Sequence, residues 1–401
     1  MAVFFKNEKE LIMYGFLLFL PTLALVPHAS FFFPLVYSLI MTKGDIAKIK
    51  KDYFVVDRNL LIIILIIISC FFNLYFHLKP SASIVEFIPY TVLMLLSYFY
   101  SNQIKTSHLK VLIYLITLES IVVIVEYLLG VKTIIPQLSE LNTVVSENPE
   151  LNLLYDTRPL GLSANSSSIA YKILLAFLLI DFLKLKENIF ILIRVVLFVG
   201  IVLTFNRTVL IVVLLYFFLK LLKPVLMAVI DFIYLKVNEK YKVLIGIGIV
   251  SFMLIAGLLI THASTVFSQF TRDKGIAGLL SGRDEIWADF WKFIQSNLFF
   301  GNGSSKFLVD YYSGPIHAHN SFLQIIANHG ILTSLLFLIL LFTNIKWRNF
   351  IYVITLIFYS LLQYGIFWGI SLIDIVLFVF LFRLDLNEEK QDCSLKTEQL
   401  E

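Results

Sequence analysis

Five polar residues stand where hydrophilic segments meet long apolar runs: Arg158, Arg207, Arg283, His319 and Asn320. A guanidinium presents planar, paired donors that fit the oxygens of a phosphate. An imidazole titrates near neutrality and takes up a proton from a hydroxyl within reach. The chemistry on offer is anion binding, phosphate above all, beside one general base at the edge of a membrane.

Each residue has a local setting. Arg158 lies in Thr157-Arg158-Pro159-Leu160-Gly161-Leu162, followed by Asn165 and a serine run. Arg207 sits in Phe205-Asn206-Arg207-Thr208, a tight turn between two apolar segments. Arg283 follows Ser281-Gly282 and precedes Asp284-Glu285. His319 belongs to His317-Ala318-His319-Asn320-Ser321-Phe322, which opens an apolar run. The free N–H groups of a helix starting near Asn320 make its first turn electropositive, which favours a neutral ring. Gly330 and Thr333 lie about three turns further on the same face, where small residues let a neighbouring helix approach and fix the histidine.

Blander readings stand beside these. An arginine at a span end also serves as a snorkelling anchor, and Arg283 has Asp284 and Glu285 as near partners. His319 would also serve as a cap. His317 with His319 resembles a metal pair, but no Cys, Asp or Glu cluster accompanies it, so no metal is expected. Glu119, Glu126, Lys172, Asp181 and Arg194 fall inside apolar runs. They read either as a proton or ion path or as internal ion pairs such as Glu126 with Lys172, the second being preferred.

The elements that position these groups are apolar helices. With 59% hydrophobic and 15% charged residues, the composition excludes a soluble globular protein. Apolar runs long enough for a ~30 Å hydrocarbon layer recur along the chain. The fold class expected is all-α, a polytopic integral membrane protein of about twelve transmembrane helices forming one domain over 1–401. The approximate spans are 11–26, 29–42, 60–77, 85–100, 111–130, 168–183, 189–204, 208–221, 243–261, 320–341, 349–365 and 367–382. The first run resembles a signal peptide, with a weak cleavage-like stretch at Val26-Pro27-His28-Ala29-Ser30, but more spans follow, so it reads as a retained helix. Cys70 and Cys393 have no plausible way to meet, so no disulfide is expected.

Lysines and arginines concentrate in the loops that share a side with the N-terminus, which puts both termini in the cytoplasm. Two loops on the other side are long, 131–167 and 262–319, and long loops are functional or disordered. In the second, Ile286, Trp287, Phe290, Trp291, Phe293 and Ile294 recur at helical spacing, an amphipathic helix near 283–300 lying along the membrane surface. Gly301-Asn302-Gly303 reads as a turn.

Taken in order, Arg158-Pro159-x-Gly161, Asn206-Arg207-Thr208, Ser281-Gly282-Arg283 with Trp287, Gly301-x-Gly303 and His319-Asn320 followed by Gly330 and Thr333 resemble the O-antigen ligase and polymerase superfamily of bacterial envelope glycosyltransferases. The resemblance covers about 155–345; Asn206 departs from it, since relatives often carry serine there. It implies a C-type membrane glycosyltransferase of the bacterial inner membrane, working on the periplasmic face without cofactor, metal or nucleic acid. Its partners would be an undecaprenyl-pyrophosphate-linked oligosaccharide, the lipid bilayer and, in some systems, a chain-length regulator. His319 would activate the acceptor hydroxyl; Arg207 and Arg283, with Arg158 and Asn320, would bind the donor. A polymerase joining repeat units is the preferred reading, with a ligase moving polymer onto lipid A core as the alternative. A flippase is a further alternative, but it would be expected to show repeat symmetry and midplane binding groups.

Overall fold

The computed structural model describes residues 13–44, 57–76, 84–140, 158–236, 283–311, 314–367 and 370–387. The expected span 243–261 and the loop stretches 141–157 and 262–282 lie outside the described residues. In chain order the helices are α1 (Met13–Thr22), α2 (Phe33–Met41), α3 (Arg58–Phe76) and α4 (Ile84–Gln103). Then come α5 (Thr106–Leu128), the short α6 (Pro136–Glu140), α7 (Ser166–Phe182) and α8 (Asn188–Leu203). The rest are α9 (Arg207–Lys236), α10 (Arg283–Ser296), α11 (Ser321–Asn344), α12 (Phe350–Leu362) and α13 (Leu372–Phe382). A small antiparallel hairpin, β1 (Val309–Tyr311) with β2 (Gly314–Ile316), precedes α11.

This is a helical membrane protein. Among the described residues, Arg58–Phe76, Thr106–Leu128, Arg207–Val225 and Ser321–Asn344 are long and apolar enough to cross a bilayer. Helix α3 shows why water is not the surrounding medium. Ile63, Ile66, Cys70 and Asn73 are buried, while Leu61, Leu65 and Phe72 on the opposite face are at least half exposed. Such a face is stable only where lipid covers it.

The core is built around α7, whose side chains from Ile173 to Ile180 are all buried. It packs against α5, α8, α9 and α13, and α3 packs against α11. Two expected spans at the end of the chain, 349–365 and 367–382, prove shorter: Phe350–Leu362 and Leu372–Phe382, separated by an irregular junction. The eleven residues of α13 rise only ~17 Å, less than the ~30 Å of a hydrocarbon layer. Apolar apart from Asp374, it is buried against α4, α7 and α12.

Side-chain contacts give the direction of each helix. Tyr216 in α9 and Tyr352 near the start of α12 both bond Asp181 at the end of α7. Tyr171, early in α7, meets Tyr359, late in α12. The start of α7, the start of α9, the end of α12 and the start of α11 therefore share one end of the bundle.

Candidate functional site

His319 lies in the turn before α11 with a left-handed backbone, φ 49°, a conformation that a non-glycine residue holds only where its surroundings fix it. Those surroundings are explicit. The neighbouring Ala318 is clamped on both backbone groups: its carbonyl accepts from Trp287 Nε1 at 2.7 Å, and its N–H donates to Gln324 Oε1 at 2.8 Å. Gln324 Nε2 in turn donates to Phe307 O and to Asn328 Oδ1, which also accepts from Phe307 N. Asn320 caps α11, its side-chain oxygen accepting from Phe322 N and Leu323 N.

The imidazole is held across the junction after α12. His319 Nδ1 lies 3.2 Å from Gln363 Oε1, and Ser321 Oγ ties the same junction by donating to Gln363 O and accepting from Gly365 N. The rings of His317 and His319 are 4.2 Å apart, and His317 faces Tyr364. Arg283, the first residue of α10, reaches the same junction: its Nη1 donates to Leu362 O at 2.6 Å.

Burial holds His319 below the usual histidine range; the Gln363 bond opposes this in part, and the Arg283 charge adds to it. The electropositive helix start was the cause expected from sequence; desolvation comes first. Burial, with the charges of His319, Lys306 and Arg283, pushes His317 down to about 3. Both rings are neutral at pH 7.

The structure thus brings Arg283, His317 and His319 together, with Asn320 beside them as a helix cap. Arg207 opens α9 at the same end of the bundle; it is exposed and makes no hydrogen bond or ion pair among the described residues. Asn206 caps that helix, accepting from Val209 N, and its amide donates to Ser167 Oγ. Arg158 is half-buried at the head of a loop clasped from below. Glu126 accepts from Leu160 N and Gly161 N, while Glu119 accepts from Leu162 N and Ser163 Oγ. The expected pair of Glu126 with Lys172 is corrected here: Lys172 Nζ lies 2.7 Å from both oxygens of Glu119, with both side chains fully buried. The reason is register. Glu119 stands level with Lys172, whereas Glu126, two turns further along α5, spends its oxygens on loop N–H groups.

Gly330 breaks α11 with φ 72° and ψ 177°. The backbone of the 298–304 turn enters the break: Ile331 N donates to Leu298 O, Asn302 N to Ala327 O, and Ser304 N to Asn328 O. A Cβ on Gly330 would lie 2.0 Å from Phe299 O, so only glycine fits. Thr333 Oγ1 meets Ser69 Oγ and Asn73 Nδ2, docking α3 below the break. What approaches Gly330 is therefore a loop backbone, with the helix α3 at Thr333.

Helix α10 turns its apolar stripe inward. Ile286, Phe290 and Ile294 are buried with Ala318 and Ala327, and Phe293 stacks on Phe307 at 3.7 Å. Trp291 on its other flank is exposed. The stripe Ile286, Phe290 and Ile294 is a protein contact.

Residues 192–338 match the family model described as O-Antigen ligase. The matched segment holds Arg207, Arg283, His319, Asn320, Gly330 and Thr333, and it supports the O-antigen ligase/polymerase superfamily. No curated protein matches the chain.

Proposed function

We propose that the chain is a metal-independent glycosyltransferase of the bacterial inner membrane, a polymerase that extends an undecaprenyl-pyrophosphate-linked glycan by one repeat unit at a time. In this reading about twelve spans place the His319 end of the bundle in the periplasm and both termini in the cytoplasm. The observation that carries it is the neutral His319 ring, fixed by Gln363 Oε1, beside the guanidinium of Arg283.

An amide oxygen only accepts, so Nδ1 carries the ring proton and Nε2 carries the lone pair. Nε2 takes the proton of the acceptor sugar hydroxyl as that oxygen attacks the anomeric carbon of the donor glycan. The bond from that carbon to the pyrophosphate oxygen breaks, and its electron pair leaves with undecaprenyl pyrophosphate. Arg283 and Arg207 match the charge gathering on the leaving group, with Arg158 as a further donor. Asn320 acts through its cap, which sets the first turn of α11 beneath the histidine. Apolar flanks on the spans give the polyprenyl tail a lipid-side path.

The family match accommodates a second reading equally, a ligase that hands finished polymer to lipid A core. A deletion strain separates the two. A polymerase null leaves lipopolysaccharide with a single repeat; a ligase null leaves bare core with polymer stranded on the carrier lipid. Neither phenotype, with a normal ladder instead, removes both readings. In the purified enzyme, His319→Ala should slow transfer by ~10²–10⁴-fold, the usual worth of a general base.

A further inference from the structure

The end of the bundle away from His319 holds a pocket of about 480 Å³, lined among others by Asp181, Lys220, Lys223, Pro224, Trp347 and Tyr352. It stands at the start of α12, whereas the His319 junction stands at its end, ~20 Å away along the helix. The two sites share no residue.

The charges in this pocket do not balance. Asp181 is already saturated: Oδ1 meets Lys220 Nζ at 2.7 Å and Arg194 at 3.6 Å, and Oδ2 accepts from Tyr216 and from Tyr352. One carboxylate thus pairs with two cations and leaves Lys223 as a third nearby. Lys223 has no ion-pair partner among the described residues; its ammonium lies 5.7 Å from the Trp347 ring centre, and Trp347 stacks on Phe350. Asp181 is too far to form a contact with it, although it exerts some attraction.

Immediately beside these cations the outward flank of α9 is apolar. Leu214, Phe217, Phe218 and Leu221 are exposed there, Leu221 to 75%. Cations at the rim of a pocket, an aromatic wall and a hydrocarbon-facing helix flank are the parts that receive a charged lipid headgroup with its chains beside it. A zwitterionic headgroup brings its own cation and leaves the excess unmatched.

We propose that this pocket holds the phosphate of an anionic glycerophospholipid from the leaflet opposite the glycan site, with Lys223 and Lys220 as its donors and the acyl chains along α9. The shared chemistry is a phosphate ester, and the source is the bilayer, not free phosphate.

The test uses the full chain purified in detergent and titrated with phosphatidylglycerol or phosphatidylcholine, with bound lipids counted by native mass spectrometry. Phosphatidylglycerol should bind more tightly, and Lys223→Gln should weaken it about fivefold while leaving phosphatidylcholine unchanged. Lys223→Arg should keep the preference. Raising salt from roughly 0.1 to 1 M should erode the preference in the wild-type protein, a measurement that needs no variant. Equal affinity for the two lipids, or a preference untouched by Lys223→Gln and by salt, overturns the proposal. So does inorganic phosphate that displaces phosphatidylglycerol at millimolar concentration, since the source would then be soluble.

Discussion

The Nδ1 atom of His319 and the side-chain oxygen of Gln363 are 3.2 Å apart, joining the start of α11 to the end of α12. With an amide oxygen as its partner, Nδ1 carries the ring proton and Nε2 the lone pair. Replacing the amide by a carboxylate, Gln363→Glu, would stabilise the imidazolium and raise the His319 pKa. The acid limb of the kcat/KM profile should then move to higher pH, because the base is needed unprotonated. Gln363→Leu removes a bond that raises the pKa, so the limb should move lower as kcat falls. Coincident limbs in all three proteins would separate Gln363 from the base.

His317 gives the folded state its own acid sensitivity. Its pKa falls from an ordinary 6.5 to about 3 in the fold, so the unfolded chain binds the proton first. Its contribution is complete above pH ~6.5 and drains away as pH drops toward 3. Thermal midpoints measured in detergent between neutrality and pH ~4 should fall more steeply for the wild type than for His317→Asn.

Gly330→Ala should damage the protein even though it adds one methyl group. The backbone at φ 72° and ψ 177° belongs to a region held essentially by glycine alone and costs an alanine ~1–3 kcal/mol, and the new Cβ would collide with Phe299 O. Because that contact is backbone, no rotamer relieves it. A lowered melting temperature and poor membrane yield are expected; normal yield would show that the break tolerates a side chain.

Glu119→Gln should leave Lys172 charged and uncompensated in a fully buried position. Breaking a buried pair from one side costs ~3–5 kcal/mol. The double variant Glu119→Gln with Lys172→Met should recover part of this loss, since no charge then remains inside. A melting series over the wild type, the single and the double variant reads the coupling directly. A double variant no better than the single would locate the damage in the loop contacts at Leu162 and Ser163.

The spans were legible wherever an apolar run had clear polar ends. The run 320–341 corresponds to Ser321–Asn344, and 60–77 to Arg58–Phe76. The stripe Ile286, Phe290, Ile294 was equally visible, because periodicity is local. Its partner was not, because burial under α10 depends on Phe307 and Ala327 arriving from elsewhere in the chain. Gln363 is not legible for the same reason: nothing near it in sequence points to His319. Gln324 and Asn328 did leave a signal. They are two amides one turn apart within an otherwise apolar run, and both are fully buried. Gly330 reads in the sequence as a small residue, while its broken geometry comes from a turn some thirty residues earlier that only the folded chain brings close.

The insertion at Gly330 governs how α10 can move relative to α11. Prising α10 away together with the 298–304 turn that follows it would strand Ala327 O, Asn328 O and Ile331 N without partners, several kcal/mol for each group. The surface helix and the first half of the span are in effect welded together. Any displacement of α10 and the turn after it therefore carries the first half of α11 along.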